Sequence, residues 1–456
     1  MVYKYSKMLD YKGILKHNIR RCIGYLLIIV MDGQIFAQSV LNDSTVYLTV
    51  DNLFNLGKEN SLQLKGDKLS VDRALQDVNY SRNLRLPEIS VNAAAGYIGQ
   101  PIVFNQGLAS PTYPEVPHWS QNYGVQISQP IYQGGKLNLG IKKSQIQKEI
   151  EVMMITSDWN NIKLQLLEQY LILFNLYKQR DVLERDIEEA KSRQRDIHNM
   201  YKEGLVTSND EIRGNLQLTQ RRLDLDVTKD NIRMTSLRLD VLLGIDQNYL
   251  ILPDTLIMAV AQQPLCEISD YITMANSLYP EIQIAGLQNK ICEVDVKLAK
   301  AEYLPNISLS ANYTLARPLT SSMEDKFAHN WNIGVDISFP VSSFYRRSHN
   351  VRIRELDMNI RQNEMERLRQ TLTVLVNQNY TEHQQARNQV KTLDLAVQEA
   401  KENYRVVRNR YMNQLSILTD LLDAETVLLD TELQLTNAKV NVIFTYYKLM
   451  QACGKI

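Results

Sequence analysis

The chain has 456 residues, and its 51 Lys and Arg residues are balanced by 51 Asp and Glu residues. This balance leaves no global basic field, so we expect no nucleic-acid partner. Only 18 Gly and 12 Pro residues interrupt the chain, which predicts long continuous helices and argues against an ordinary globular enzyme.

Residues 1–37 have the pattern of an export signal. Four basic residues between positions 12 and 21 precede the apolar stretch CIGYLLIIVM at 22–31. That stretch is about half as long as a bilayer-spanning helix, which needs ~20 residues. Ala37 is a small residue at which cleavage would leave Gln38 first. We therefore expect residues 1–37 to be a signal peptide; a short anchor or a core helix is the alternative.

The rest of the chain consists of two related halves. With an offset of 210 residues, GVQISQP at 124–130 aligns with GVDISFP at 334–340. Each half has a helix that ends at Leu-Pro, two alternating segments around a polar loop, and a long helical region with one break. This pattern predicts a first repeat at 61–244 and a second at 281–456. We expect a loop of variable length at 101–121, where the offset between the halves changes.

Four segments alternate apolar and polar residues, and they predict strands at about 88–100, 122–132, 306–317 and 331–341. Segments of about ten residues can cross a bilayer as tilted strands, whereas no segment after the signal has the ~18 consecutive apolar residues of a spanning helix. An ordinary half-buried sheet explains any single segment equally well. If the chain enters a membrane, it must do so as a closed β-barrel.

Two long stretches lack Gly and Pro, from 141 to about 200 and from 345 to 411. A helix of about 65 residues extends roughly 100 Å. After each stretch, small and apolar residues recur in steps of three and four, which is the period of a coiled coil. The two predicted seams are Gly214, Leu218, Arg221, Leu225, Thr228, Ile232, Thr235 and Leu239, and Leu421, Ala424, Leu428, Thr431, Leu435, Ala438, Val442, Thr445 and Leu449.

Four strands cannot close a membrane barrel, because the smallest such barrels have about eight strands. Their edges would stay unpaired in a single copy. Symmetric assembly removes these edges, and three copies would supply a closed barrel and a continuous helical tube.

With these repeats, strands and hairpins, the chain resembles the TolC family of outer-membrane factors over nearly all of its length after the signal. The resemblance implies an α+β membrane protein with long α-helical coiled-coil hairpins and four β-strands per protomer. It implies a homotrimer that forms a 12-stranded β-barrel and an α-helical periplasmic tunnel. Residues 38–60, 245–280 and the last few residues of the chain would then form an equatorial girdle around the tunnel.

The resemblance also implies a function, which is passive export through the outer membrane. The trimer would be the exit duct of a tripartite efflux or type I secretion system, in contact with outer-membrane lipid, a periplasmic adaptor protein and an inner-membrane pump. The protein would lie in the cell outer membrane, with its tunnel extending into the periplasm. The sequence of the duct does not identify the transported substrate, because selectivity in such systems lies mainly in the pump.

The hairpin tips near 201–210 and 411–420 carry the most specific local resemblance. By resemblance, Tyr411 takes the position of a gate tyrosine, Asp210 that of its carboxylate partner, and Asp420 and Asp423 those of acidic rings at the tunnel entrance. The tip residues expected to contact the adaptor are Gly204, Leu205, Val206, Gln414, Leu415 and Ser416.

Two tip residues depart from the family pattern. Ser416 stands where the family member compared has an arginine, and Gln414 replaces the usual glycine. Asp420 and Asp423 have an alternative role as capping groups, because carboxylates near a helix N-terminus are favourable. Tyr411 equally suits packing between helices.

The remaining chemistry of the sequence is sparse. The six His residues are not spaced as metal ligands, and there is no phosphate-binding glycine loop or nucleophile elbow. We therefore expect no catalytic residues, no metal and no cofactor. A periplasmic coiled-coil adaptor or structural scaffold is the alternative function, and a periplasmic enzyme is a third hypothesis.

Overall fold

The computed structural model describes residues 44–245, 249–255, 257–258, 264–318, 324–339, 341 and 344–456. The predicted signal peptide at 1–37 lies outside the described residues, as does part of the second polar loop.

Two helical hairpins account for most of the structure. The first pairs α3 (Lys136–Lys202) with α4 (Ser208–Leu243), and the second pairs α7 (Phe344–Met412) with α8 (Leu418–Ala452). The 67 residues of α3 and 69 of α7 confirm the two predicted long helices, each roughly 100 Å in length at the standard rise. Among the described residues, no helix combines the length and apolar composition that crossing a membrane requires.

Both predicted seams lie inside the hairpins. Along α4, seven of the eight seam positions are buried and Leu225 is half-buried. Along α8, the seam is buried at both ends and half-buried in the middle, at Leu428, Thr431 and Leu435. The seven-residue period therefore identified the packed face of both return helices correctly.

A four-stranded antiparallel sheet confirms the four predicted strands. Its strands are β2 (Glu88–Tyr97), β5 (Trp119–Gln133), β7 (Asn306–Arg317) and β8 (Ala328–Ser338), in the order β2-β5-β7-β8. The observed β5 and β8 each begin three residues before the predicted start, and β2 ends three residues early. β2 and β8 are the sheet edges, and neither has a second strand partner in the described part of this copy.

The register makes one face of this sheet apolar. Val91 lies opposite Val125, which lies opposite Tyr313, and Tyr313 lies opposite Trp331. The other face is polar: Asn312 Nδ2 donates to Asn332 Oδ1 at 3.0 Å. The alternation predicted within each strand therefore continues across all four strands.

Two further strand pairs were not predicted. A short hairpin, β3 (Val103–Gln106) with β4 (Ala109–Thr112), occupies the predicted variable loop. Strands of four residues give too short an alternation to detect from sequence. A parallel pair, β1 (Ser44–Leu48) with β6 (Tyr249–Pro253), joins the two predicted girdle segments.

The shorter helices extend or brace the hairpins. They are α1 (Val50–Asn60), α2 (Leu62–Asn83), α5 (Ile268–Leu278) and α6 (Pro280–Ala301). α2 and α6 both pack against α3, and each leads into a strand of the four-stranded sheet. These two helices therefore connect the helical hairpins to the four-stranded sheet.

The largest hydrophobic cluster lies where β1, β6 and α1 cover the middle of the first hairpin. Leu53, Leu239 and Ile251 are fully buried there with Tyr170 of α3. The Tyr170 hydroxyl donates to the Leu48 carbonyl at 2.8 Å and accepts from the Asp254 amide at 2.7 Å. This phenol joins the parallel strand pair to the long helix.

We expect Tyr170→Phe to lower the free energy of unfolding by about 2 kcal/mol, because it removes one partner from each of two buried backbone groups. Denaturant unfolding of the protein in detergent measures this loss. Tyr80, which is 67% exposed, supplies the matched control, and Tyr80→Phe is expected to have no effect. Equal stabilities of the two variants would contradict the structural role of the Tyr170 hydroxyl.

Candidate gate at the helical hairpin tips

Both hairpins turn through the same backbone motif. Gly204 has φ +72° and Gln414 has φ +60°. The Leu205 amide donates to the Met200 carbonyl at 2.9 Å, and the Leu415 amide donates to the Arg410 carbonyl at 2.8 Å. This is the left-handed helix end that favours glycine. The second tip therefore keeps the turn although glutamine has replaced glycine.

The predicted gate acids begin the return helices. Asp210 forms a capping box with Thr207: its carboxylate accepts from the Thr207 amide at 3.0 Å, and its amide donates to the Thr207 hydroxyl at 3.2 Å. Ser416 Oγ donates to Asp420 Oδ2 at 2.6 Å. Asp423 is exposed one turn further along α8. Within one copy, Asp210 therefore caps α4, whereas α8 begins without a side-chain cap and Asp420 contacts the Ser416 hydroxyl.

Tyr411 lies between the two tips. Its side chain is buried among Ile197, Leu418 and Leu421. The Tyr411 hydroxyl is buried without a hydrogen-bond partner among the described residues. Burial raises the pKa of this phenol, and the nearby charge of Asp210 raises it further. The structure thus brings Tyr411 and Asp210 near each other without a bond between them.

The six predicted contact residues form the outer ends of the hairpins. Leu205 and Leu415 are 49% and 69% exposed. Gly204 and Gln414 are also exposed, whereas Val206 and Ser416 are half-buried. An exposed leucine at the same position of each turn gives both tips a similar apolar end.

A polar contact between the tips was not predicted from the sequence. Arg213 of the first hairpin donates from Nη1 to the Thr419 hydroxyl of the second at 2.8 Å. Within the first hairpin, His198 Nδ1 and Glu211 Oε1 are 2.5 Å apart. An arginine thus joins the tips although Ser416 has replaced the expected one. Sequence spacing cannot identify this contact because the two partners lie on different hairpins.

The sequence also did not predict a buried cluster of charged side chains, which lies on the long helices next to the tips. Arg193 forms an ion pair with Glu425, and Arg221 Nε lies 3.1 Å from Asp186 Oδ2. Burial raises the pKa of Glu425 to about 7 in spite of the neighbouring arginines, and burial also raises the pKa of Asp186. Arg221 was recognised as a charge in the seam, but its partner on α3 had no sequence signal.

The described residues contain no group of three or more His, Cys, Asp or Glu side chains arranged to hold a metal ion.

Solved structures share this fold over nearly the whole chain. CusC has a TM-score of 0.75 at 16% identity, with 92% of this chain and 95% of that chain covered. VceC, an outer membrane protein of Vibrio cholerae, has a TM-score of 0.69 at 16% identity, covering 89% and 96%. The outer membrane channel CmeC of Campylobacter jejuni has 0.68 at 16% identity, covering 92% and 90%. No curated protein matches the chain.

The four-stranded sheet, the two paired hairpins and their adjacent tips together define the TolC-like channel fold. Residues 272–455, which span most of the second repeat, match the family model described as outer membrane efflux protein. This match and the shared fold of the solved channels make the chain similar to outer-membrane efflux proteins.

We expect Gln414→Gly to raise the free energy of unfolding by about 1 kcal/mol, because glycine adopts the left-handed conformation without the steric cost of a side chain. The matched variant is Gly204→Ala at the equivalent turn, which is expected to lower it by a similar amount. Urea unfolding of both proteins measures the two shifts. Destabilisation by Gln414→Gly would show that the glutamine side chain stabilises the second tip by contacts of its own.

Proposed function

We propose that three copies of this chain form a passive exit duct through the outer membrane, serving a tripartite efflux or type I secretion system. The observation that carries the proposal is the four-stranded sheet whose edge strands β2 and β8 both lack a partner in the described copy. Unpaired backbone groups cannot be left in a lipid environment. Pairing β8 of one copy with β2 of the next satisfies both edges at once.

The helical layer supports the same assembly. In one copy α4 packs on α3, α3 packs on α8, and α8 packs on α7. The outermost helices of the hairpin layer are therefore α4 and α7. Closing a ring of copies places α4 of one copy against α7 of the next.

Both outermost helices present apolar residues that the described copy leaves exposed. The outer stripe of α4 consists of Leu216, Leu223, Val227, Met234, Leu237 and Val241, which are 38–67% exposed. α7 carries Ile353, Ile360, Val374 and Leu395, which are spaced by multiples of seven residues and are each 53–66% exposed. Two exposed stripes with a coiled-coil period are suited to packing against each other.

The apolar sheet face favours the duct over a periplasmic scaffold. Val91, Trp331 and Ile333 are 77%, 67% and 67% exposed on that face. A water-soluble scaffold would leave this large patch in solvent. In the proposed barrel it contacts outer-membrane lipid instead, and the polar face lines the interior.

The proposed partners follow from the position of the tips at the far end of the hairpins. The exposed Leu205 and Leu415 offer an apolar surface to a periplasmic adaptor protein. An inner-membrane pump would deliver cargo through that adaptor. Tyr411 and Asp210 would close the entrance between hairpins, and Asp420 and Asp423 would form acidic rings once threefold symmetry brings three copies together.

We expect the double variant Leu223→Glu with Val227→Glu to reduce the trimer population at least tenfold, because six buried carboxylates would enter the proposed helix interface. Native mass spectrometry of the detergent-solubilised protein measures this population. Lys229→Glu, an exposed change on the same helix outside the stripe, is the control and should leave the trimer intact. A monomeric wild-type protein would overturn the proposed assembly.

We expect Asp420→Ala and Asp423→Ala to raise single-channel conductance in planar bilayers, because each removes a ring of carboxylates that retains cations at a narrow entrance. Asp226→Ala, at an exposed position on α4, serves as the control and should leave conductance unchanged. Unchanged conductance in both tip variants would remove the acidic rings from the proposal. A wild-type protein that does not conduct would overturn the duct itself.

A further inference from the structure

The buried charged cluster behind the tips joins the two hairpins. Its four charged side chains are Asp186 and Arg193 of α3, Arg221 of α4 and Glu425 of α8. Their side chains are only 3–11% exposed. Charges are rarely buried without a partner, and here two cations face two carboxylates.

Glu425 is the member that receives bonds from the opposite hairpin on both carboxylate oxygens. Arg193 Nη2 donates to Oε1, and Gln217 Nε2 donates to Oε2 at 3.0 Å. Arg193 also donates from Nη1 to the hydroxyl of Tyr404 on α7 at 3.2 Å. Side chains from all four long helices therefore meet at this point, and separating the hairpins would break the contacts of Glu425.

The charged groups around Glu425 come from every neighbouring helix. α3 contributes Asp186, Glu189 and Arg193; α4 contributes Arg221; and α7 contributes the phenol of Tyr404 together with the charge of Arg408 beside it. Burial has the largest effect and raises the pKa of Glu425 to about 7, against the opposing effect of Arg193. The charge of Asp186 contributes to this rise. Two carboxylates this close titrate as a pair and retain a proton near neutral pH.

We propose that Glu425 is a proton-operated latch between the two hairpins, which stay packed when it is protonated and separate near the tips when it loses its proton. The latch adds a control to the proposed duct, because separated tips would widen its entrance. It lies behind the gate residues and acts through different contacts.

The direction of the pH effect follows from proton linkage. In separated hairpins water reaches Glu425, and its pKa returns towards the ordinary value of 4.5. The packed state then binds more protons than the separated state between that value and about 7. Acidification therefore favours packing, and this stabilisation is lost as pH rises through neutrality. The packed-to-separated ratio should be about tenfold higher at pH ~6 than at pH ~8 for each copy.

Infrared difference spectroscopy of the full chain in detergent tests the proton directly. We expect a protonated-carboxyl band that disappears with a midpoint near neutral pH. Glu425→Gln, which keeps the shape and hydrogen-bonding capacity of the side chain, should remove that band. Glu399→Gln, an exposed change on α7, should retain it. A carboxyl band that titrates only below pH ~5, or that persists in Glu425→Gln, would overturn the latch.

Distance measurement between the tips tests the movement. Spin labels are attached to cysteines introduced at the exposed tip residues Lys202 and Met412, in a chain whose native cysteines are replaced by alanine. The separated population should rise about tenfold from pH ~6 to pH ~8 in the parent protein and stay constant in Glu425→Gln. His198 contacts Glu211 near the tips, so its replacement is a control for a response that does not come from Glu425. The His198→Gln background should therefore retain the response.

The outcomes separate the latch from the duct. A Glu425 proton that titrates near neutrality without any change in tip distance would overturn the latch. A pH-dependent distance in a protein that conducts no ions would support the latch and overturn the duct. A conducting protein whose tip distance is independent of pH would support the duct and overturn the latch.

Discussion

The unsatisfied backbone of two sheet edges is the constraint on which the rest of this structure depends. Four antiparallel strands expose a large apolar face, and within the described ranges β2 and β8 each lack a second strand partner. The outermost helices α4 and α7 repeat the problem below the sheet, where each exposes an apolar stripe. The proposed ring of copies would resolve both, because the same rotation brings strand edges and helix stripes together.

The helices combine two kinds of contact that serve different purposes. Within each hairpin, the seven-residue seam packs small and apolar residues and holds the two antiparallel helices side by side over much of their length. Between the hairpins, contacts near the tips are partly polar, as between Arg193 and Glu425, and partly apolar, as between Ile197 and Tyr411. Polar contacts between hairpins can exchange with water, whereas the seams cannot open without exposing apolar surface.

Local periodicity predicted the larger features because they depend on spacing along the chain. The long helices, both seams, the four-stranded sheet and the positions of the tip turns are all visible as patterns of two, three and four residues. The β3–β4 hairpin was missed because its strands are short, and the β1–β6 pair because parallel partners lie far apart in sequence. Gln414 was noticed as a departure, but only the backbone revealed that it adopts the conformation of glycine.

The amino-acid sequence by itself determined the repeat, the long helices, the four longer strands and the faces that need covering, because hydrophobic spacing encodes these locally. Only the tertiary structure decided which charges meet. Arg193 and Glu425 are 232 residues apart, and Arg213 and Thr419 are 206 apart. Their pairing depends on how four helices are rotated and aligned against one another. Burial, which raises the pKa of Glu425, likewise exists only after those helices have packed.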